Sequence, residues 1–275
     1  MNRTMGIRRV ASALALVTLF CFPRLVVAAE GSPAYTALSI VNAATQTSRA
    51  LAPNTIATIY GKNLAFSTRS VGNADLKGSI LPTSMDGVAV LVGGGTAPLF
   101  YISPTQINFL IPYDLAAGVV PIAVTRQSLA GPVVKVQLNA TSPGLFQWNG
   151  NYAIASHLTG KLIASDAPAK AGEIIILYAA GLGRASPDTT SGRVVANAAK
   201  IVALAQLQVT IGETLVPPAD ILYAGLAPGF AGLYQINLRM PAKLGADPEI
   251  RLSVNGESSL PGVRLAAQST GVAVD

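Results

Sequence analysis

Cysteine is nearly missing from this chain. The 275 residues hold one, Cys21, together with one histidine, His157, and one tryptophan, Trp148. Only 12% of residues are charged. Each shortage removes a class of chemistry. A zinc site needs several His or Cys ligands, so no metal is expected. A Ser-His-Asp or Cys-His centre would have to use His157, which lies in Ser156-His157-Leu158-Thr159-Gly160 beside an expected turn. A surface or hairpin histidine is the expectation. The carboxylates Asp75, Asp86, Asp114, Asp166, Asp188, Asp220 and Asp247 are scattered, with no Asp-x-Asp-x-Asp loop for calcium. No motif marks a glycosidase pair among them. Gly93-Gly94-Gly95 lacks the Lys-Ser/Thr of a phosphate loop, and Gly181-Leu182-Gly183 lacks the rest of a dinucleotide fingerprint. Both read as turns. No cofactor and no enzyme activity are expected. An amphipathic helix of useful length is also lacking.

What is present begins with an address. Arg3, Arg8 and Arg9 form a positive start, Val10 to Phe22 an apolar run, and Val26-Val27-Ala28-Ala29 a small-residue cleavage region. That is the pattern of a signal peptide over residues 1–29. The run is short for a membrane span, which needs roughly 20 apolar residues. Four of the 19 basic residues lie in this segment, leaving 15 against 13 acidic ones. No basic cluster remains for nucleic acid. Cys21 leaves too, so the mature chain has no disulfide and depends on its core. A secreted or cell-envelope location follows, with no membrane span after cleavage.

The 26 Gly and 18 Pro break short apolar runs, as in many strands joined by turns. One stretch occurs twice: Gln106-Ile107-Asn108-Phe109-Leu110-Ile111-Pro112 and Gln235-Ile236-Asn237-Leu238-Arg239-Met240-Pro241. Both follow a tyrosine closely, and apolar residues fall at every second position, the period of a strand with one buried face. Ile59-Tyr60-Gly61-Lys62-Asn63-Leu64 matches Leu177-Tyr178-Ala179-Ala180-Gly181-Leu182 at an offset of 118 residues. The Val88 to Gly93 segment recurs at 119, Ala97 to Tyr101 at 122 and Gln-Ile-Asn at 129. Ordered matches with growing offsets indicate an internal duplication with small insertions. Val254-Asn255-Gly256-Glu257 reads as a type I′ hairpin turn, with Val263 to Ala267 as the last strand.

The largest insertion is informative. Tyr101 to Gln106 is five steps, whereas Tyr223 to Gln235 is twelve. The added loop is apolar and Gly-rich, which is odd for a solvated connection. Leu226, Pro228, Phe230 and Leu233 are the candidate interaction residues, with Phe230 as the anchor. Packing against the first domain is the structural alternative. The amides Gln106, Asn108, Gln235 and Asn237 alternate opposite to the apolar face. They are expected to satisfy backbone groups along an edge strand; a polar strip for a glycan is the functional alternative. Asp220, which stands where the first repeat has Pro98, is expected to bond nearby backbone.

The sequence also resembles known families. Val41-Asn42-Ala43-Ala44, Leu81-Pro82-Thr83-Ser84, Pro98-Leu99-Phe100-Tyr101-Ile102-Ser103-Pro104, Pro143-Gly144-Leu145-Phe146 and Tyr223-Ala224-Gly225-Leu226-Ala227-Pro228-Gly229-Phe230 resemble the Solibacter-type uncharacterised C-terminal domain family. The match covers about residues 37–268. Gly61-Lys62-Asn63-Leu64 is similar to IPT/TIG immunoglobulin-like domains. The resemblance implies export and tandem immunoglobulin-like sandwiches, and brings no catalytic residues. The expected fold is all-β, with two immunoglobulin-like β-sandwich domains at 36–140 and 141–270 after the signal peptide. The expected function is a non-enzymatic module contacting an unknown protein or cell-surface polymer. A carbohydrate-binding module is the first alternative, with Trp148 and Tyr152 as its aromatic candidates, and a secreted hydrolase is the second.

Overall fold

The computed structural model describes residues 31–187 and 190–271; the expected signal peptide over 1–29 and Asp188 lie outside them. Among the described residues there is no α-helix, only short 3₁₀ turns between strands. The first half contains β1 (Ile40–Asn42), β2 (Ile56–Tyr60), β3 (Arg69–Ser70), β4 (Val88–Val92), β5 (Gly95–Thr96), β6 (Leu99–Ile102), β7 (Gln106–Leu110), β8 (Gly118–Arg126), β9 (Leu129–Ala130) and β10 (Val134–Leu138). They form two antiparallel sheets: a front sheet in the order β1-β2-β7-β6-β3, and a back sheet β10-β8-β4-β5. Between them lies one core, with Ile59, Ile107 and Phe109 from the front sheet and Val90, Ile122 and Val124 from the back. Alternation decides this layering, because successive strand residues point to opposite faces.

The second half contains β11 (Gly144–Leu145), β12 (Gln147–Trp148), β13 (Tyr152–Ala153), β14 (Ala155–His157), β15 (Ile174–Ala180), β16 (Ala185–Ser186), β17 (Ala199–Ile201), β18 (Gln208–Ile211), β19 (Thr214–Leu215), β20 (Ile221–Leu226), β21 (Tyr234–Arg239), β22 (Ile250–Val254) and β23 (Glu257–Ser258). Its front sheet runs β11-β15-β21-β20-β17-β16, with β14 also on β15; its back sheet is β19-β18-β22-β23. A second core holds Leu177, Ile236 and Leu238 against Val209, Leu252 and Val254. Two such layered pairs are consistent with two immunoglobulin-like sandwiches.

The repeat is structural as well as textual. β2-β7-β6 and β15-β21-β20 have the same order. Each carries a register shift at one place, between Leu99 and Tyr101 in β6 and between Ile221 and Tyr223 in β20. The extra residue is Phe100 in one copy and Leu222 in the other. Asn255 and Gly256 both have positive φ, 52° and 80°, as a type I′ turn demands.

Two expectations need correction. Val263 to Ala267 is not a ladder strand; it is held by single bridges of Arg264 to Tyr152 and Glu249 and of Ala267 to Ala169. β7 and β21 are not edge strands, since each has a neighbour on both sides. Their backbone groups are satisfied by the ladder, so the amides do a different job. The polar stretch 66–80 contributes structure as well: β3 pairs with β6, and Arg69 bridges Asp75 and Asp86.

The two front sheets meet end to end. Gly232, just before β21, lies against Leu110 at the end of β7. Gly181, just after β15, lies near Thr55 beside the start of β2. Gly144 of β11 abuts Asn42 of β1, and Gly192 abuts Pro98 beside β6. Residue 195 in turn bonds 229 and 230, beyond the end of β20. Lateral order and strand direction are therefore shared across the junction. A half-turn about the strand axis would reverse the order, so the outer faces of the two front sheets lie on the same side of the molecule.

Candidate functional site

The outer face of the front sheets carries the same four residue types twice. In the first domain Tyr60 is the register partner of Gln106, and Tyr101 of Asn108. In the second, Tyr178 partners Gln235 and Tyr223 partners Asn237. Partners in a ladder project to one face, opposite to the core residues Ile107, Phe109, Ile236 and Leu238. The bulge in β6 and β20 is what delivers the second tyrosine: without the extra residue Tyr101 and Tyr223 would turn inward. Ladder bonds at Ile111–Thr55 and Met240–Glu173 place both Tyr/Gln pairs at the non-hydrogen-bonded positions, where side chains come closest.

Within each patch the amides bond each other. Gln106 Nε2 donates to Asn108 Oδ1 at 2.9 Å, and Gln235 Nε2 to Asn237 Oδ1 at 3.2 Å. Among the described residues, Gln Oε1 and Asn Nδ2 have no protein partner in either copy, so each patch presents one acceptor and one donor. Tyr60 is 40% exposed, and its hydroxyl donates to Gln46 Oε1 at 2.9 Å. Thr58 Oγ1 adds a third bond, to Asn108 Oδ1 at 3.0 Å. In the second domain Ile176 occupies that register position. Tyr223 lies over Gly225, where no Cβ would fit, and its hydroxyl donates to Leu226 O at 2.8 Å. Partial burial raises its pKa. The sequence signal for this site was the repeated Gln-Ile-Asn; Tyr234, directly before the second copy, is buried in the core, and the tyrosine pairs of the patches required the register.

The proposed interaction loop divides. Leu226 is the last residue of β20 and 2% exposed in the second core, so it is not available to a partner; the strand reaches further than the apolar run suggested. Leu233 is half-buried, and Pro228 and Phe230 are exposed, Phe230 by 55%. Gly232 seals Leu110 and Ile56, which lie on the same face as Gln106 and Tyr60. The loop is thus an interdomain clamp between the two patches, and it carries exposed Phe230.

The other singled-out residues sit apart. His157 is on β14, with Nδ1 paired to Glu173 Oε1 and Nε2 3.1 Å from Ala167 O. The Glu173 bond raises its pKa above the ordinary histidine value. It borders an open cavity of about 670 Å³ with Lys161, Lys170 and Arg239. Asp220 pairs with Arg239 at 3.5 Å rather than with backbone. Tyr152 donates to Asp247 Oδ2 at 2.8 Å and packs on the second core, and Trp148 is its register partner across β12 and β13. Among the described residues no three His, Cys, Asp or Glu are grouped to hold a metal, and no helix is long and apolar enough to cross a membrane.

With this geometry in place, the comparisons bear on the first sandwich. Residues 40–143 match the IPT/TIG domain. No curated protein matches the chain. Solved structures give distant likenesses. A surface glycan-binding protein from Prevotella bryantii is 15% identical over 84% of this chain and 41% of its own, with a TM-score of 0.26. A Bacteroides ovatus SGBP-B in complex with a mixed-linkage heptasaccharide is 14% identical over 86% and 47%, with a TM-score of 0.34. Tandem Ig repeats of Dlar are 10% identical over 86% and 95%, at 0.20. The chain spans less than half the length of those two glycan-binding chains. At such scores these likenesses say nothing about its ligand.

Proposed function

We propose that this protein is an exported, non-catalytic immunoglobulin-like contact module whose ligand is a carbohydrate polymer, held on the outer face of the front sheets. The observation that carries the reading is the duplicated Tyr/Gln/Asn/Tyr patch. A tyrosine ring offers rigid apolar area with a polar tip, suited to the C–H face of a sugar ring. An adjacent amide acceptor and donor suit neighbouring hydroxyls. The amide–amide bond within each patch fixes these groups before binding, which lowers the ordering cost.

Native-gel retardation in soluble xylan, mannan, pectin, starch, β-glucan and chitosan tests this reading. Retardation by at least one polymer is expected, abolished in the double variant Gln106→Ala/Gln235→Ala with an unchanged melting temperature. Binding that survives this variant and the double variant Tyr60→Ala/Tyr178→Ala overturns it, as does the absence of any retardation. Release of new sugar ends during incubation overturns its non-catalytic part. A protein partner is the second reading, favoured by Phe230 and Pro228, both exposed in one loop. Capture of one envelope protein, lost on Phe230→Ala and indifferent to the amide variants, would select it.

A further inference from the structure

The two patches are not merely equivalent; they are aligned. β7 ends where the clamp loop leads into β21, both strands run the same way, and both patches face the same side. Between them stands a loop present only in the second repeat, whose Gly232 covers Leu110 on that side and which carries exposed Phe230. We infer that both patches read one linear polysaccharide chain, which crosses the domain boundary over Phe230. The inference rests on the carbohydrate reading above and deepens it: the ligand is an extended polymer, and the loop is its central contact.

The spacing supports a shared chain. From Asn108 to Gln235 the path follows the end of β7, the Leu110–Gly232 contact and the start of β21, roughly 20 Å at about 3.3 Å per extended residue. A disaccharide reaches one patch, whereas a long chain reaches both. The sandwiches are clamped at four places across the junction, at Leu110–Gly232, Thr55–Gly181, Asn42–Gly144 and Pro98–Gly192. Leu81 N–H also bonds Gly192 O at 3.0 Å, and Val194 N–H bonds Ser79 O at 2.8 Å. A rigid pair of sites engages the second half of a chain at high effective concentration, which raises affinity with no new contact. Phe230 adds an aromatic surface where the chain would otherwise cross a gap.

The test uses the full chain and size fractions of whichever panel polymer retards it. In titration calorimetry, fractions of two or three sugars are expected to bind twice per protein. Fractions of eight or more should bind once and at least tenfold tighter. Gln106→Ala and Gln235→Ala should each erase most of that gain while leaving one short-fragment site. Phe230→Ala should weaken long chains at least threefold and short ones not at all. Equal affinity for short and long fractions, or two long chains per protein, overturns the shared chain and leaves the two separate patches standing. If no polymer in the panel retards the protein, the carbohydrate reading and this inference fall together.

Discussion

The two front sheets carry one recognition patch each but finish differently. In the first domain the strand end after Asn108 is Leu110, 1% exposed and sealed with Ile56 beneath Gly232. In the second, the corresponding residue after Asn237 is Arg239, exposed, donating to Gly172 O at 3.1 Å and paired with Asp220. The same register position is a buried joint in one copy and a solvated tip in the other. The tyrosines and amides stayed alike, and the differences collect where one domain had to dock on the next. Docking needs apolar area removed from water, whereas a free strand end needs charge to blunt it.

The largest expected effect tests that asymmetry. Leu110→Ala should cost about 2–5 kcal/mol, as for a buried leucine leaving a cavity. Arg239→Ala, at the equivalent position, should cost less than about 1 kcal/mol. Urea unfolding of the two variants decides it; equal losses would mean that the sealed end contributes nothing special. Next, Gly232→Ala puts a methyl group into Leu110 at a position with φ of 68°. A loss of about 1–3 kcal/mol is expected from strain and overpacking, and Gly229→Ala, with φ of 86° and open space around it, should cost less.

Thr58→Val removes the hydroxyl that braces Asn108, at about 0.5–1.5 kcal/mol. Ile176→Thr would copy that hydroxyl into the second patch. If the brace matters to recognition, the first variant should weaken short-fragment binding to the first domain alone, which calorimetry on the Gln235→Ala background reads directly. The smallest effect concerns the edge beside the second patch, where His157 meets Glu173. Folding raises the pKa of His157, so its contribution is fully present below the unfolded value of about 6.5 and is lost as pH rises through the folded one. His157→Gln should lower the melting temperature at pH 5 and change it little at pH 8.5; an equal change at both would remove the charge from the account.

Much of the fold was legible along the chain. Alternation in Gln106–Leu110 and Tyr234–Arg239 marked strands with one buried face, and ordered offsets marked the duplication. Asn255-Gly256 marked a turn because few residues tolerate positive φ. The misreadings share a cause. Local polarity alone speaks for Leu226 and the amides in the sequence, but strand length and edge position depend on partners far away in sequence. Val263 to Ala267 has a strand's composition, yet its surroundings offer only single bridges.

The sequence by itself determined the local alternation, the turns, the scarcity of cysteine and histidine, and the existence of two repeats, because these can be read along the chain alone. Tertiary structure decided the site. A bulge at Phe100 and Leu222 turned Tyr101 and Tyr223 outward, and register set Tyr60 beside Gln106 and Tyr178 beside Gln235. The end-to-end docking then put both patches on one side. Each of those outcomes is a relation between segments that only close packing of the whole chain can fix.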